Sequence, residues 1–241
     1  MSSTKKDIIP RGLIVSCQTV EGDPIHNGSE TVVTMAKAAE WGGATGIRAD
    51  KPEQIKAIKQ VTDLPVIGLW KVWKEGTDVF ITPSMKEVRA IIEAGADIVA
   101  VDCTQQLTAE GRPAYEIIPE IKAEFPDAII FADVATVDEA KNAVEMGVDI
   151  VAPTLYGYTK YTIAPNVTDP SWEQPPSFQL LADIARECGD KCVVMMEGHI
   201  NTPEEAVQCM YLGAEAVVVG SAITRPHLIT KRFNQRINKY Q

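Results

Sequence analysis

The stretch "LPVIGLWK", residues 64–71, carries Val66, Ile67, Leu69 and Trp70 and then an ammonium, Lys71. A lysine at the end of an apolar run is paired, neutralised or used, because an unpartnered charge is costly away from water. Other apolar runs end in the same way. "GLIVSCQ" reaches Ser16 and Gln18, "GIRA" holds Arg48, "DIVAVDCT" ends in Asp102 and Thr104, and "IIFADV" carries Asp133. "DIVAPT" reaches Thr154, "VVMMEG" ends in Glu197 and Gly198, and "AVVVGSA" carries Gly220 and Ser221. A lysine, an arginine and carboxylates gathered at one place suit proton transfer on a polar substrate. Glycines that expose backbone N–H groups, with Arg225 a few residues on, suit a phosphate. The competing reading is a polar rim in which Lys71 pairs with Asp102, Asp133 or Glu197. Lys74, three residues on, reads as a solvated side chain.

These residues must be brought together by the elements that carry them. Three segments share one grammar: "EAGADIVAVD" (93–102), "EMGVDIVAPT" (145–154) and "YLGAEAVVVG" (211–220), with a looser copy in "EWGGATGIRA" (40–49). In each a helix tail ends at a glycine and a β-branched run follows; Gly95, Gly147 and Gly213 suit the left-handed C′ position. Helix starts are expected at Thr82, Thr136 and Thr202, where threonine caps and proline or an early acidic residue follows. The strand candidates are 12–17, 44–49, 65–71, 97–103, 128–134, 149–155, 193–198 and 216–222, with helices between them, for example over 30–41, 84–94, 137–146 and 203–212. Continuous apolar runs of this kind suit parallel strands covered on both faces. The pattern predicts an α/β fold, a (β/α)8 barrel forming a single domain over residues 1–241, whose chemistry lies at the carboxyl ends of the strands. An open doubly wound sheet is the fallback, weakened because no G-x-G-x-x-G follows the first strand. Gly198, Gly220 and Ser221 fall after strands 7 and 8, where such barrels often hold a phosphate. Two loops are long, "TQQLTAEGRPAYE" after strand 4 and "YGYTKYTIAPNVTDPSWEQPPS" after strand 6. Each reads as a lid, a binding loop, an oligomer contact or a solvated insertion.

Composition narrows the partners. The 241 residues carry a formal charge of −10, with 45% hydrophobic and 23% charged residues. That is a globular composition, and the acidic balance argues against nucleic acid. No apolar run approaches membrane-spanning length, and "MSSTKKDIIPRG" lacks the apolar core of a secretory signal. Cys17, Cys103, Cys188, Cys192 and Cys209 are scattered and read as reduced thiols in a cytoplasmic protein. The histidines lack zinc-ligand spacing.

"GLIVSCQ", "GIRA", "DVFITPSMKEV", "ADVAT", "GYT", "EGHINTPEEA" and "VVVGSAITRP" together resemble the N-acetylmannosamine-6-phosphate 2-epimerase family over nearly the whole chain. The resemblance implies an isomerase of sialic-acid catabolism, an N-acylglucosamine-6-phosphate 2-epimerase on a (β/α)8 barrel. It would interconvert N-acetylmannosamine 6-phosphate and N-acetylglucosamine 6-phosphate. By the same resemblance Lys71 and Glu197 are catalytic, Gln18, Arg48 and Asp133 contact the substrate, and Gly198, Gly220, Ser221 and Arg225 take the phosphate. The chain departs from the family after the lysine, where "VWKEG" replaces a polar, tyrosine-containing segment, and in the length of the loops after strands 4 and 6. No cofactor or metal is expected. The expected partners are a phosphorylated N-acetylhexosamine and further copies of the chain in a homodimer or other homo-oligomer.

The residues make chemical sense of that activity. C2 of a hexosamine is acidic only when C1 is a free aldehyde, so the ring must open and a proton must leave C2 and return on the other face. Glu197 is the candidate for ring opening and Lys71 for the C2 proton, with Arg48 near the enolate oxygen. Lys71 is a base near neutral pH only if its pKa falls well below the ordinary lysine value. Burial and Arg48 act in that direction, and Glu197 and Asp133 oppose it. If Lys71 stays protonated it is instead the acid, and another group takes the first proton. Two alternatives stay open: an aldolase-type phosphosugar enzyme with a Schiff base on Lys71, and a non-catalytic phosphosugar-binding protein.

Overall fold

The computed structural model describes residues 8–165, 167 and 174–240. Eight parallel strands close into a barrel in chain order, β1 pairing with β8. They are β1 (Gly12–Ser16), β2 (Gly46–Asp50), β3 (Val66–Leu69), β4 (Ile98–Asp102), β5 (Ile129–Asp133), β6 (Ile150–Ala152), β7 (Val193–Glu197) and β8 (Ala216–Val219). Alternate residues face opposite ways along a strand. Ile14, Ile67, Leu69, Ile98, Ala100, Ile129, Phe131, Met195 and Val218 fill the barrel. Val15, Ile47, Val66, Val99, Ile130, Val194 and Val217 pack outward with the helices. The same alternation carries Ser16, Arg48, Asp50, Lys71, Asp102, Asp133 and Glu197 inward, at the carboxyl end.

Among the described residues the α-helices with full bounds are α1 (Gly28–Trp41), α2 (Pro52–Lys59), α3 (Met85–Glu93), α4 (Ile117–Glu124), α5 (Val137–Glu145), α6 (Phe178–Cys188), α7 (Pro203–Tyr211), α8 (Ser221–Thr224) and α9 (Pro226–Ile237). Gly95, Gly147 and Gly213 have φ of 97°, 84° and 104°, the left-handed turn their place after a helix requires. Thr136 caps α5, and Thr202 with Glu205 forms a capping box on α7. Thr82 does not cap. It has a φ of 46°, and its hydroxyl accepts from Trp70 N at 3.1 Å. Ser84 holds the N-cap position of α3 instead.

All eight strands are shorter than the sequence suggests, and β3, β6 and β8 lose the most, each for a local reason. β3 stops at Leu69 because Trp70 to Val72 pair with Phe80 to Thr82: Val72 N donates to Phe80 O and Thr82 N to Trp70 O, both at 2.9 Å. β6 stops before Pro153, which has no N–H to give. β8 stops before Gly220, whose carbonyl takes the N–H groups of Ile223 and Thr224 at 2.8 and 2.9 Å and turns the chain into α8. The loop after β4 folds on itself through a Leu107–Pro113 bridge. The described part of the loop after β6 is tied to the barrel's helices and to itself. Tyr161 donates to Glu139 at 2.6 Å, and buried Gln174 accepts from Ala164 N at 3.1 Å. Residues 166 and 168–173 of that loop lie outside the described residues.

Candidate active site

A cavity of about 440 Å³ opens at the carboxyl end of the barrel. Gln18, Arg48, Lys71, Glu197, Gly198, Gly220, Ser221 and Arg225 all line it. Asp133 is brought to the same cluster but stands behind Arg48, fully buried, and does not reach the cavity wall.

Arg48 is the centre of the polar cluster. Its guanidinium donates to both oxygens of Asp133, at 3.0 and 2.8 Å, and also to Glu197. A buried guanidinium clamped by two carboxylates is held in one orientation. Burial works against its charge, but Asp133 and Glu197 outweigh that and raise its pKa. Its face lies 5.0 Å from the Phe131 ring, which closes the barrel beneath it.

Lys71 does not join this clamp. Its Nζ donates to Gln18 Oε1 at 2.6 Å, and Gln18 Nε2 donates to Ser16 Oγ at 2.9 Å. Burial pushes the Lys71 pKa below the ordinary lysine value; Asp50, Glu197 and Asp133 pull it back and Arg48 pushes it further down. Burial also dominates at Glu197 and raises its pKa to about 7, with Asp133 adding to the rise and Arg48 and Lys71 opposing it. The cavity therefore holds an amine made easier to deprotonate and a carboxyl made easier to protonate, the pattern expected of a base and an acid near neutral pH.

Asp102 belongs to neither group. It is buried, and one oxygen takes both the N–H and the hydroxyl of Thr104, at 2.8 and 2.7 Å. Burial raises its pKa to about 7. It does not reach the cavity.

The far end of the cavity is built by the loops after β7 and β8. Gly198 has a φ of 107° and His199 a φ of 63°, so two consecutive residues turn left-handed directly after Glu197. Glycine adopts that conformation freely; His199 is held in it by Tyr156 O, 2.9 Å from its Nε2, and by stacking on Tyr158 with centroids 5.3 Å apart. Gly220 packs close to β1, and a Cβ there would come within 3.3 Å of Ser16 Cβ. Arg225 projects here and donates to Asp23 Oδ1 at 2.6 Å. Burial works against the charge on Asp23, but the Arg225 bond holds its carboxyl below the ordinary value.

Sequence reasoning missed Asp23, Asp50 and the aromatic pairs at the mouth. Asp23 sits in "EGDPIHNG", which reads as a turn, and its partner is 202 residues away. Trp73 lies parallel to Phe80, with centroids 5.5 Å apart and planes 4° apart, inside the "VWKEG" departure. Both line the cavity. Among the described residues no group of histidine, cysteine and carboxylate side chains has the spacing to hold a metal.

The chain matches, over residues 32–239, a family model described as "Putative N-acetylmannosamine-6-phosphate epimerase". It is 41% identical over 239 residues to a protein of Listeria welshimeri carrying that name as a 2-epimerase, covering 99% of this chain and 98% of the relative. A relative of the same name from Caldanaerobacter subterraneus is 46% identical, with 94% of this chain and 92% of the relative covered. Among solved structures, the N-acetylmannosamine-6-phosphate 2-epimerase from Clostridium perfringens superimposes with a TM-score of 0.86 at 36% identity, covering 98% of this chain and 97% of that one.

Proposed function

The chain belongs to the N-acetylmannosamine-6-phosphate epimerase family of isomerase-type enzymes, and we propose that it moves the C2 proton of that sugar with Lys71 and Glu197 as its acid/base pair. The product is N-acetylglucosamine 6-phosphate, so the enzyme acts as an N-acylglucosamine-6-phosphate 2-epimerase. In this reading the whole chain, 1–241, works as one barrel domain.

One observation carries the assignment. Lys71 follows β3 and Glu197 ends β7, four strands away around a closed ring of eight, and both line the same cavity. A sugar carbon held between them is exposed to an amine on one face and a carboxyl on the other. Inverting C2 needs that arrangement, because the proton leaves one face and returns to the opposite one.

The remaining residues follow from the chemistry. Glu197 as the protonated partner gives a proton to the ring oxygen and takes one back from the C1 hydroxyl as the aldehyde forms, so it is protonated again when it delivers a proton to the other face of C2. Lys71, unprotonated, takes the C2 proton from its own side. Charge then develops on the C1 oxygen, and Arg48 is fixed in advance by Asp133 to face it, so little reorganisation is needed during the reaction. Gln18 holds the Lys71 amine toward the cavity. The phosphate lies at the other end, against Gly198, Gly220, Ser221 and Arg225, and it anchors the sugar so that C2 falls between the two catalytic groups.

The test is an NMR assay of the purified protein with N-acetylmannosamine 6-phosphate and no added cofactor. Appearance of the C2 epimer is the expected result; binding with no turnover would leave a phosphosugar-binding protein. Borohydride trapping of substrate on Lys71 would point instead to Schiff-base chemistry.

A further inference from the structure

The β2–β3 ladder runs out beneath Lys71. Lys51 N makes the last backbone bond between the two strands, to Leu69 O at 2.9 Å. In a parallel ladder the next donor, Lys71 N, is in register for the Lys51 carbonyl. That carbonyl is already taken. Lys51 has a φ of 70°, the chain turns there into α2, and Ile55 N donates to Lys51 O at 3.0 Å as the first bond of the helix. The acceptor for Lys71 N is instead the Asp50 carboxylate, at 2.8 Å. Trp70 and Val72, on either side, are fastened to residues 80–82. Lys71 is thus fixed on both flanks, and on the β2 flank by a side chain.

A neutral side-chain carbonyl or hydroxyl would satisfy one N–H. A carboxylate brings a full charge as well, and it does so at a site 3% exposed. The charged groups around the Lys71 amine are Arg48 and Asp50 from β2, Asp133 from β5 and Glu197 from β7, with Asp102 of β4 further along the barrel wall. Asp133 and Glu197 are committed to Arg48. Asp50 makes no ion pair among the described residues, and it is the carboxylate that acts most strongly on Lys71. It does not line the cavity, so it touches Lys71 and not the substrate.

We propose that Asp50 is a positioning residue for Lys71, anchoring the backbone under the amine and setting, by its charge, the pH range over which that amine takes and returns a proton. The proposal rests on the reading of Lys71 as the proton-transferring base.

Two substitutions separate the two roles. Asp50→Asn keeps an acceptor for Lys71 N and removes the charge. Asp50→Ala removes both. The titration of the Lys71 amine is followed in protein labelled with 15N-lysine, its resonance identified by its absence in Lys71→Arg, and the pH dependence of kcat/KM is measured in parallel. In Asp50→Asn the amine should titrate at lower pH than in the parent, because its strongest counter-charge is gone while its burial remains. The acid limb of kcat/KM should move the same way, with the optimum rate largely kept. In Asp50→Ala kcat should fall by at least about tenfold at every pH, within what a displaced catalytic group costs. An unmoved amine titration in Asp50→Asn overturns the proposal, and so does an Asp50→Ala enzyme with parent kcat. A shifted amine with an unshifted rate profile upholds the Asp50–Lys71 coupling and instead overturns the assignment of Lys71 as the base.

Discussion

Lys71 Nζ donates to the amide oxygen of Gln18 at 2.6 Å, and among the described residues no carboxylate accepts from it. The carboxylates that act on the amine are engaged elsewhere, Asp133 and Glu197 on Arg48 and Asp50 on the Lys71 backbone N–H. An amide oxygen orients an amine without pinning it as an ammonium. Burial then acts unopposed by any direct ion pair.

Lys71→Ala should lower kcat by about 100- to 10,000-fold, the usual contribution of a positioned acid/base group. The fold should survive, since the amine supports no strand, and circular dichroism with a melting curve checks this. Lys74→Ala should keep most activity because Lys74 does not line the cavity. Activity of Lys71→Ala within tenfold of the parent would place the base elsewhere.

Glu197→Gln should lower kcat far more than it raises KM, since it keeps the shape and removes the transferable proton. The pH profile gives a second readout. Glu197 acts as an acid only while protonated, so kcat/KM should fall as pH rises through about 7, where its carboxyl titrates. On the other side, activity should fall as pH drops and Lys71 becomes protonated. A parent profile that stays level from pH 6 to pH 9 would contradict the assignment.

Much of this was legible beforehand because the barrel repeats. A glycine-terminated helix followed by an apolar run recurs at Gly95, Gly147 and Gly213, and each run ends where the chemistry lies. What stayed hidden depends on pairing between distant residues. Nothing in "GIRAD" or "ADVAT" shows that Arg48 clamps Asp133, a buried pairing across 85 residues of chain. Asp50 has the same difficulty. Its partner is a backbone N–H left over when Lys51 turns into a helix, and no residue pattern announces a missing ladder bond. The early end of β8 was equally hidden, since the Gly220 carbonyl starts a helical turn by taking the N–H groups of Ile223 and Thr224.

Asp133→Asn should leave Arg48 with a weaker clamp and Glu197 with one fewer negative neighbour. Asp133 raises the Glu197 pKa, so the substitution should move the basic limb of kcat/KM to lower pH. Asp133→Ala should be worse for the fold. Removing one partner of a buried pair costs about 3–5 kcal/mol, and urea unfolding of the two variants measures the difference. An unchanged basic limb in Asp133→Asn would separate Asp133 from the titration of Glu197.

The substrate should need its 6-phosphate. Arg225 is already charged and held at 2.6 Å by Asp23, which leaves the rest of its guanidinium for an anion. A charge-assisted hydrogen bond contributes about 1.5–3 kcal/mol, and a phosphate gains more than one. The unphosphorylated sugar should therefore show kcat/KM lower by at least about 100-fold. Arg225→Ala should remove most of that difference by weakening the phosphorylated sugar alone. Equal kcat/KM for the two sugars would eliminate the phosphate site.

The hydrogen at C2 reports directly on how the epimerisation runs. Epimerisation can run by deprotonation and reprotonation, by oxidation and reduction, or by cleaving and rejoining a bond. The groups facing the cavity are a lysine whose pKa is lowered by burial and a carboxyl raised to about 7, from opposite strands. Those are proton-exchanging groups. Turnover in heavy water should put deuterium at C2 of the product, because the proton returned comes from the group on the other face and not from the one that removed it. Opposed groups make a further demand. If the two do not share a proton, the first turnover should label product completely, while substrate recovered early stays unlabelled. A single group serving both faces would instead carry part of the original hydrogen across. Product that keeps its C2 hydrogen, measured early and at saturating substrate, would rule out the opposed pair, and Glu197→Gln would then be expected to keep the C2 transfer step with Lys71 alone.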